Sequence, residues 1–157
     1  MKRIKVTELL IYIVSAELVG ALSALVSGGN FSEYYLTLTK PPIAPPGWVF
    51  PIAWALLYAL TAVGAYLISI SYGDMSRSAL RLYTVQLGVN FLWSPVFFRF
   101  NSFVGAVIIA AVLFLLAAIM TVKFYRISET AALFTLPYLF WTGYAAYLSV
   151  GFLILNR

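Results

Sequence analysis

The sequence predicts an all-α membrane protein: a five-transmembrane-helix bundle forming one domain over residues 1–157, with a long Pro-rich loop between helices 1 and 2. Two observations carry this expectation. Hydrophobic residues make up 63% of the chain and charged ones 10%, with a mean hydropathy of +0.96, where a soluble domain carries about 25% charge. The few charges are also spaced out. Residues 41–73, 82–98, 100–122 and 130–156 contain none, and residues 9–32 contain only Glu17. Each run is close to the roughly 20 residues that cross about 30 Å of hydrocarbon.

The first span is expected over about 8–28. Lys2, Arg3 and Lys5 ahead of an apolar run resemble a signal peptide, but the run is too long and Glu17 interrupts it. A connection over about 29–46 follows, longer than a plain turn, and loops of that length tend to be functional. Its prolines, Pro41, Pro42, Pro45 and Pro46, favour an extended, stiff path across the bundle mouth. A rigid spacer is the plainer alternative. The remaining spans are expected over about 47–71, 78–98, 102–124 and 131–154, joined by short turns.

Charge sets the expected orientation. Lys2, Arg3, Lys5, Arg77, Arg81, Lys123 and Arg126 fall on one side of such a bundle and Lys40, Arg99 and Arg157 on the other. Basic residues concentrate on the cytoplasmic side, so the amino terminus is expected there. The same placement accounts for the net charge of +5 without nucleic acid as a partner.

Absences narrow the chemistry. With no His and no Cys, thiolate nucleophiles, Ser-His-Asp triads and imidazole-bound haem are excluded, and five scattered carboxylates form no metal site or acid/base dyad. No metal and no required cofactor are expected. Gly20, Ala24 and Gly28, four residues apart, permit close helix contact, read as ordinary bundle packing before a dedicated dimer face. Glu17 is a costly intramembrane acid, read as protonated and bonded to a neighbouring helix before a proton or ion contact.

Unusual side chains share faces. Phe50, Trp54, Tyr58 and Thr61 lie on one face of the second span, Gln86, Asn90, Trp93 and Phe97 on one face of the third, and Pro137, Trp141, Ala145 and Leu148 on one face of the fifth. Counted from the long connection at 1.5 Å per residue, Trp93, Trp54, Asn90, Ala145 and Trp141 lie about 8 to 20 Å deep. Trp48, Tyr72 and Tyr125 suit the interfacial belt, whereas Trp54 and Trp141 are too deep for it and their indole N–H groups need partners. Gln86 and Asn90 are either interhelical glue or the polar anchors of a small-molecule cavity with flat apolar walls.

Three stretches then carry a resemblance. Residues 40–50 (KPPIAPPGWVF) with Trp54 and Tyr58, residues 86–95 (QLGVNFLWSP) with Phe97 and Phe98, and Pro137-Tyr138 with Trp141, Ala145, Leu148 and Leu155-Asn156 resemble the TspO/MBR family of translocator proteins, or tryptophan-rich sensory proteins. The likeness covers about 30–156, with the motifs in order. It implies a five-helix bundle, a homodimer, and a pocket for porphyrin or haem, benzodiazepine-type ligands and, in some members, cholesterol. By position, Trp54, Tyr58, Asn90, Trp93, Trp141 and Ala145 match pocket-associated residues, with Gln86 beside them, and Lys40, Pro41, Pro45 and Pro46 match the covering loop. Tyr34 and Ile43 stand where relatives often have tryptophan, and Ser149 where an Asn is usual. Three functions follow as expectations: a tetrapyrrole receptor or sensor, a light-dependent porphyrin-degrading enzyme using Trp54 and Trp141, or a small-molecule or sterol transporter gated by the loop with Glu17 coupling protons. Membrane lipid is the other expected partner.

Overall fold

We describe residues 4–29, 31–71 and 73–157 of a computed structural model of the chain. Lys2, Arg3 and Tyr72 lie outside the described residues. Among the described residues there are six α-helices: α1 (Val6–Ser27), α2 (Phe31–Thr37), α3 (Val49–Ser69), α4 (Asp74–Ser94), α5 (Phe103–Tyr125) and α6 (Glu129–Leu155). A π-helical turn, Pro95–Arg99, extends α4.

The architecture corrects the expected five-span bundle in two respects. Among the described residues, α1, α3, α5 and α6 are the four helices long and apolar enough to cross a membrane. The chain is a multi-pass membrane protein, but α4 does not reach that apolarity. Asp74, Ser76, Arg77, Ser78 and Arg81 occupy its first turns, and its buried face carries Gln86 and Asn90. The charge-free run 82–98 is real, but its last residues belong to the π turn. The second correction concerns the Pro-rich stretch. It lies between α2 and α3, not in an irregular loop between the first two helices, because 31–37 is helical.

Local chemistry explains the helix ends that matter. Ser102 accepts from the Gly105 N–H at the start of α5, and Ser128 accepts from the Ala131 N–H at the start of α6, each satisfying an orphan donor. At the end of α4, Pro95 brings no N–H, and the Phe100 N–H reaches back five residues to the Pro95 carbonyl at 3.1 Å. This wider turn buries two consecutive rings, Phe97 and Phe98.

Small residues set the helix spacing. Ala106, Ala110 and Ala117 of α5 and Ala131 and Ala132 of α6 are buried, and the Thr135 and Thr121 hydroxyls meet at 3.0 Å across those helices. Gly64 brings α3 against α6, where a β-carbon would stand 2.9 Å from the Ala131 carbonyl oxygen. Lys123 Nζ donates to Ser78 at 2.8 Å and the Lys5 N–H donates to the Tyr66 hydroxyl at 2.7 Å. These contacts gather Lys5, Arg77, Arg81, Lys123 and Arg126 at one end of the molecule.

The opposite end is crossed by a strap over residues 38–48. Tyr35 of α2 donates to the Pro45 carbonyl at 2.6 Å, and Tyr144 and Tyr147 of α6 donate to the carbonyls of Ile43 and Pro42 at 2.5 and 2.8 Å. Asn156 takes both backbone groups of Thr39, at 2.8 and 2.9 Å. Pro41 is buried on Gly151, where a β-carbon would lie 2.5 Å from the proline. Ile43 is held at φ 59°, a left-handed conformation costly for a β-branched residue. Its carbonyl is the one that Tyr144 captures.

Candidate functional site

A cavity of about 420 Å³ is bounded by α1, α3 and α4. Helix α1 contributes Glu17, Gly20, Ala21, Ser23, Ala24 and Ser27, followed by Gly28 and then Phe31 of α2. Helix α3 contributes Phe50, Pro51, Trp54, Ala55 and Tyr58, and the α4 side contributes Asn90, Trp93, Ser94 and Phe98. Four residues that the sequence singles out, Trp54, Tyr58, Asn90 and Trp93, therefore come together on one wall.

The others stand behind it. Trp141 meets Trp54 edge to face at 6.2 Å and 85°, and Gln86 is fully buried against Tyr138. Ala145 borders a residual hollow of only about 10 Å³ with Tyr35, Phe50, Trp54, Trp93 and Phe97. The space beneath the strap is thus filled by aromatic rings. Trp93 stacks on Phe97 at 5.2 Å, and Phe50 packs on Tyr35 at 5.4 Å and on Trp141 at 6.2 Å. Among the described residues that line the larger cavity, the strap residues Lys40, Pro41, Pro45 and Pro46 do not occur. Lys40 instead places its ammonium 5.0 Å from the Tyr35 ring centroid.

Hydrogen bonds fix the wall from behind. The Tyr138 hydroxyl donates to Gln86 Oε1 and accepts from Asn90 Nδ2 at 3.1 Å. Trp93 donates its indole N–H to Ser149 at 3.2 Å, so the serine that replaces a customary amide is itself the partner of a wall residue. The Ser149 hydroxyl donates in turn to the Ala145 carbonyl at 2.8 Å. The expected partner for the Trp141 indole is not found: its Nε1 is buried without one, as is Gln86 Nε2.

Helix α1 is where sequence reasoning fell short. Glu17 is half-buried and lines the cavity; the hydrogen bonds that tie α1 to α4 come from Ser23, which donates to the Phe91 carbonyl at 2.8 Å, and from Ser27, which meets Ser94 at 2.8 Å. This replaces the reading of Glu17 as an interhelical bond. Gly20 makes a close approach, against Tyr58, whereas a β-carbon at Gly28 would meet nothing within 4 Å. Gly20, Ala24 and Gly28 all border the cavity. Small residues combined with Ser23 and Ser27 on one helix are the signal that marks this wall.

The cavity opens sideways: Ala21, Ala24, Gly28, Pro51 and Ala55 all line it and are all exposed. Electrostatically it is sparse, with Glu17 the one carboxyl on its wall among the described residues. Among those residues no group of carboxylates is placed to hold a metal ion.

The fold and this cavity define a class: a multi-pass helical membrane protein with an aromatic-walled chamber inside its apolar zone. The chain belongs to the TspO/MBR family, whose model matches residues 12–155. It is 36% identical over 124 residues to the tryptophan-rich sensory protein of Cereibacter sphaeroides, covering 79% of this chain and 77% of that one. It is 31% identical to protein CrtK of Rhodobacter capsulatus over 148 residues, 93% of this chain and 91% of the relative. Against the translocator protein of Homo sapiens the identity is 34% over 124 residues, 77% and 73% of the two chains.

Proposed function

We propose that the protein is an integral membrane receptor or sensor for a tetrapyrrole, porphyrin or haem, held in the aromatic cavity between α1, α3 and α4. One observation carries this reading: about 420 Å³ of space walled by Trp54, Tyr58 and Trp93, with Asn90, Glu17 and three serines as sparse polar anchors. Small-molecule sites are mostly apolar chambers of about 300–1,000 Å³ with a few placed polar groups. A flat macrocycle would stack on the indoles, each such contact adding about 0.5–1.5 kcal/mol beyond area burial. Family membership and the sensory name of the Cereibacter relative support a receptor role. In a chain with no His and no Cys, haem would be held by its faces and edges, not by imidazole or thiolate on iron.

In this reading Trp54, Tyr58, Asn90 and Trp93 touch the ligand, while Gln86, Trp141 and Ala145 support them from behind. The protein works as a homodimer in lipid without nucleic acid. Its amino terminus faces the cytoplasm, as the basic end formed by Lys5, Arg77, Arg81, Lys123 and Arg126 favours.

Titration of the purified protein with protoporphyrin in darkness tests the reading. Saturable tryptophan quenching is expected. Trp54→Phe should weaken binding by about three- to tenfold, and Trp141→Phe, one layer back, by less than about threefold. Quenching that never saturates and ignores both substitutions would remove the reading.

The edge-to-face contact of Trp54 with Trp141 favours a second reading, light-dependent porphyrin degradation, since it joins a wall indole to one behind it. Under illumination, porphyrin absorbance should then decay faster with the protein than with Trp141→Phe. Equal decay would leave binding alone.

A further inference from the structure

Helix α1 changes partner along its length. At and below Gly20 it lies directly on α3: the Tyr12 and Tyr66 rings meet at 5.9 Å, the Lys5 N–H reaches the Tyr66 hydroxyl at 2.7 Å, and Gly20 touches the Tyr58 ring. Above Gly20 it leans on α4 and the π turn. Ser23 holds the Phe91 carbonyl at 2.8 Å, Ser27 meets Ser94 at 2.8 Å, and the Arg99 guanidinium caps the Val26 carbonyl at 3.1 Å. The upper seam between α1 and α3 is left as a slot. Its rims are Ala21, Ala24 and Gly28 on one side and Pro51 and Ala55 on the other, all exposed and all lining the cavity. From Gly20 to Gly28 the slot is about 12 Å tall at 1.5 Å per residue.

What the slot faces follows from its rims. Both α1 and α3 are long and apolar enough to cross a membrane, so the slot opens onto acyl chains. The strap, whose residues do not line this cavity, is fastened across the same end of the bundle. Three tyrosine hydroxyls hold the strap carbonyls of Pro42, Ile43 and Pro45, Asn156 holds both backbone groups of Thr39, and Pro41 is seated on Gly151. Beneath the strap the rings leave only about 10 Å³.

We infer that this cavity loads sideways from the bilayer: its ligand is a membrane-dissolved, largely apolar molecule that slides between α1 and α3 past Ala24 and Ala55 while the strap stays closed. The inference rests on the reading of the cavity as the ligand site. A flat ring system can pass edge-on through a slot whose rims carry no side chain larger than proline. Burial of such a molecule from lipid gains little hydrophobic free energy, so selectivity falls to stacking on Trp54 and Trp93 and to polar anchors such as Asn90 and Glu17.

The test uses the full chain in liposomes, with protoporphyrin dissolved in the same membranes as probe and tryptophan quenching as readout. Ala24→Phe combined with Ala55→Phe narrows the slot from both rims, and leucine at both positions serves if the phenylalanine pair does not fold. Association and dissociation should both slow by about tenfold, and the slowed dissociation separates a narrowed passage from a weakened site, which would release its ligand faster. Tyr144→Phe with Tyr147→Phe, which loosens the strap, should change either rate by less than about twofold. Roughly tenfold acceleration by the strap variant, with the slot variant at the unsubstituted rate, would overturn the inference. A second arm needs no porphyrin. Lipids brominated along their acyl chains quench tryptophans that they reach, and the slot variant should lose part of that quenching. Quenching that is the same in both proteins would also overturn sideways opening. If the slot-dependent quenching is present but porphyrin does not bind, the opening stands and the tetrapyrrole reading falls.

Discussion

Gly20 of α1 sits on the ring of Tyr58 of α3 so closely that a β-carbon at position 20 would lie 2.6 Å from Cε2 and 2.9 Å from Cδ2. No side chain fits there without a shift. The contact brings α1 onto α3 at the edge of the cavity, and Gly20 and Tyr58 both form part of the wall.

Gly20→Ala is therefore expected to push the Tyr58 ring into the cavity. Overpacking of this kind costs about 1–3 kcal/mol, read as a lower midpoint of thermal unfolding, and protoporphyrin affinity should fall with it. Tyr58→Leu in the same chain gives the methyl room and should restore the midpoint. Failure of that rescue would show that the ring is not what resists.

Tyr138 is the junction of the buried amides, donating to Gln86 and accepting from Asn90. Tyr138→Phe strands both side chains, and each stranded buried polar group costs about 1–3 kcal/mol. Gln86→Met removes an amide whose Nε2 already lacks a partner, so it should cost less. Equilibrium unfolding of the two variants in detergent checks the order; a larger loss for Gln86→Met would contradict it.

The strap should answer to Asn156. That side chain pairs with both the N–H and the carbonyl of Thr39, 117 positions away in sequence. Asn156→Ala is expected to raise hydrogen exchange at the Thr39 amide by about tenfold, corresponding to loss of one net hydrogen bond. Exchange at α5 should be unaffected.

Tyr35 supplies a pH signature. Burial, and after it the nearby Tyr144 phenol, pushes the Tyr35 hydroxyl up to about 12, whereas an unfolded tyrosine titrates near 10. Between those values the unfolded chain releases a proton that the folded chain keeps. The contribution is intact below about pH 10 and is lost as pH rises towards the folded value. Tyr35→Phe should flatten this part of the stability profile relative to the parent; identical slopes would show that Tyr35 does not titrate late.

Some of this protein was readable residue by residue. Charge-free runs mark α3, α5 and α6, and a run interrupted only by Glu17 marks α1, because hydrocarbon excludes charge whatever the neighbours are, and the spacing of Trp54 with Tyr58 and of Asn90 with Trp93 puts each pair on one helix face. The helix of residues 31–37 is harder to read, since seven residues seldom hold a helix without partners and this one is held by Tyr35 packing on Phe50 and Phe152. The failure at α4 has another cause: absence of charge in 82–98 is a local property, while the charged first turns and buried amides belong to the same helix.

Sequence alone determined the membrane class, the family likeness and the shared faces of Trp54 with Tyr58 and of Asn90 with Trp93, because those depend on side-chain chemistry and on the period of a helix. Pro137, expected on an inward face, is exposed. Only the tertiary structure decided which inward faces meet and which leave a gap. Trp141, Gln86 and Ala145 lie behind the wall and Glu17 lies on it because α1 pivots at Gly20, resting on α3 below and tied by Ser23 and Ser27 to α4 above. Such a pivot is set by contacts between residues about 40 to 70 positions apart, which no local periodicity encodes.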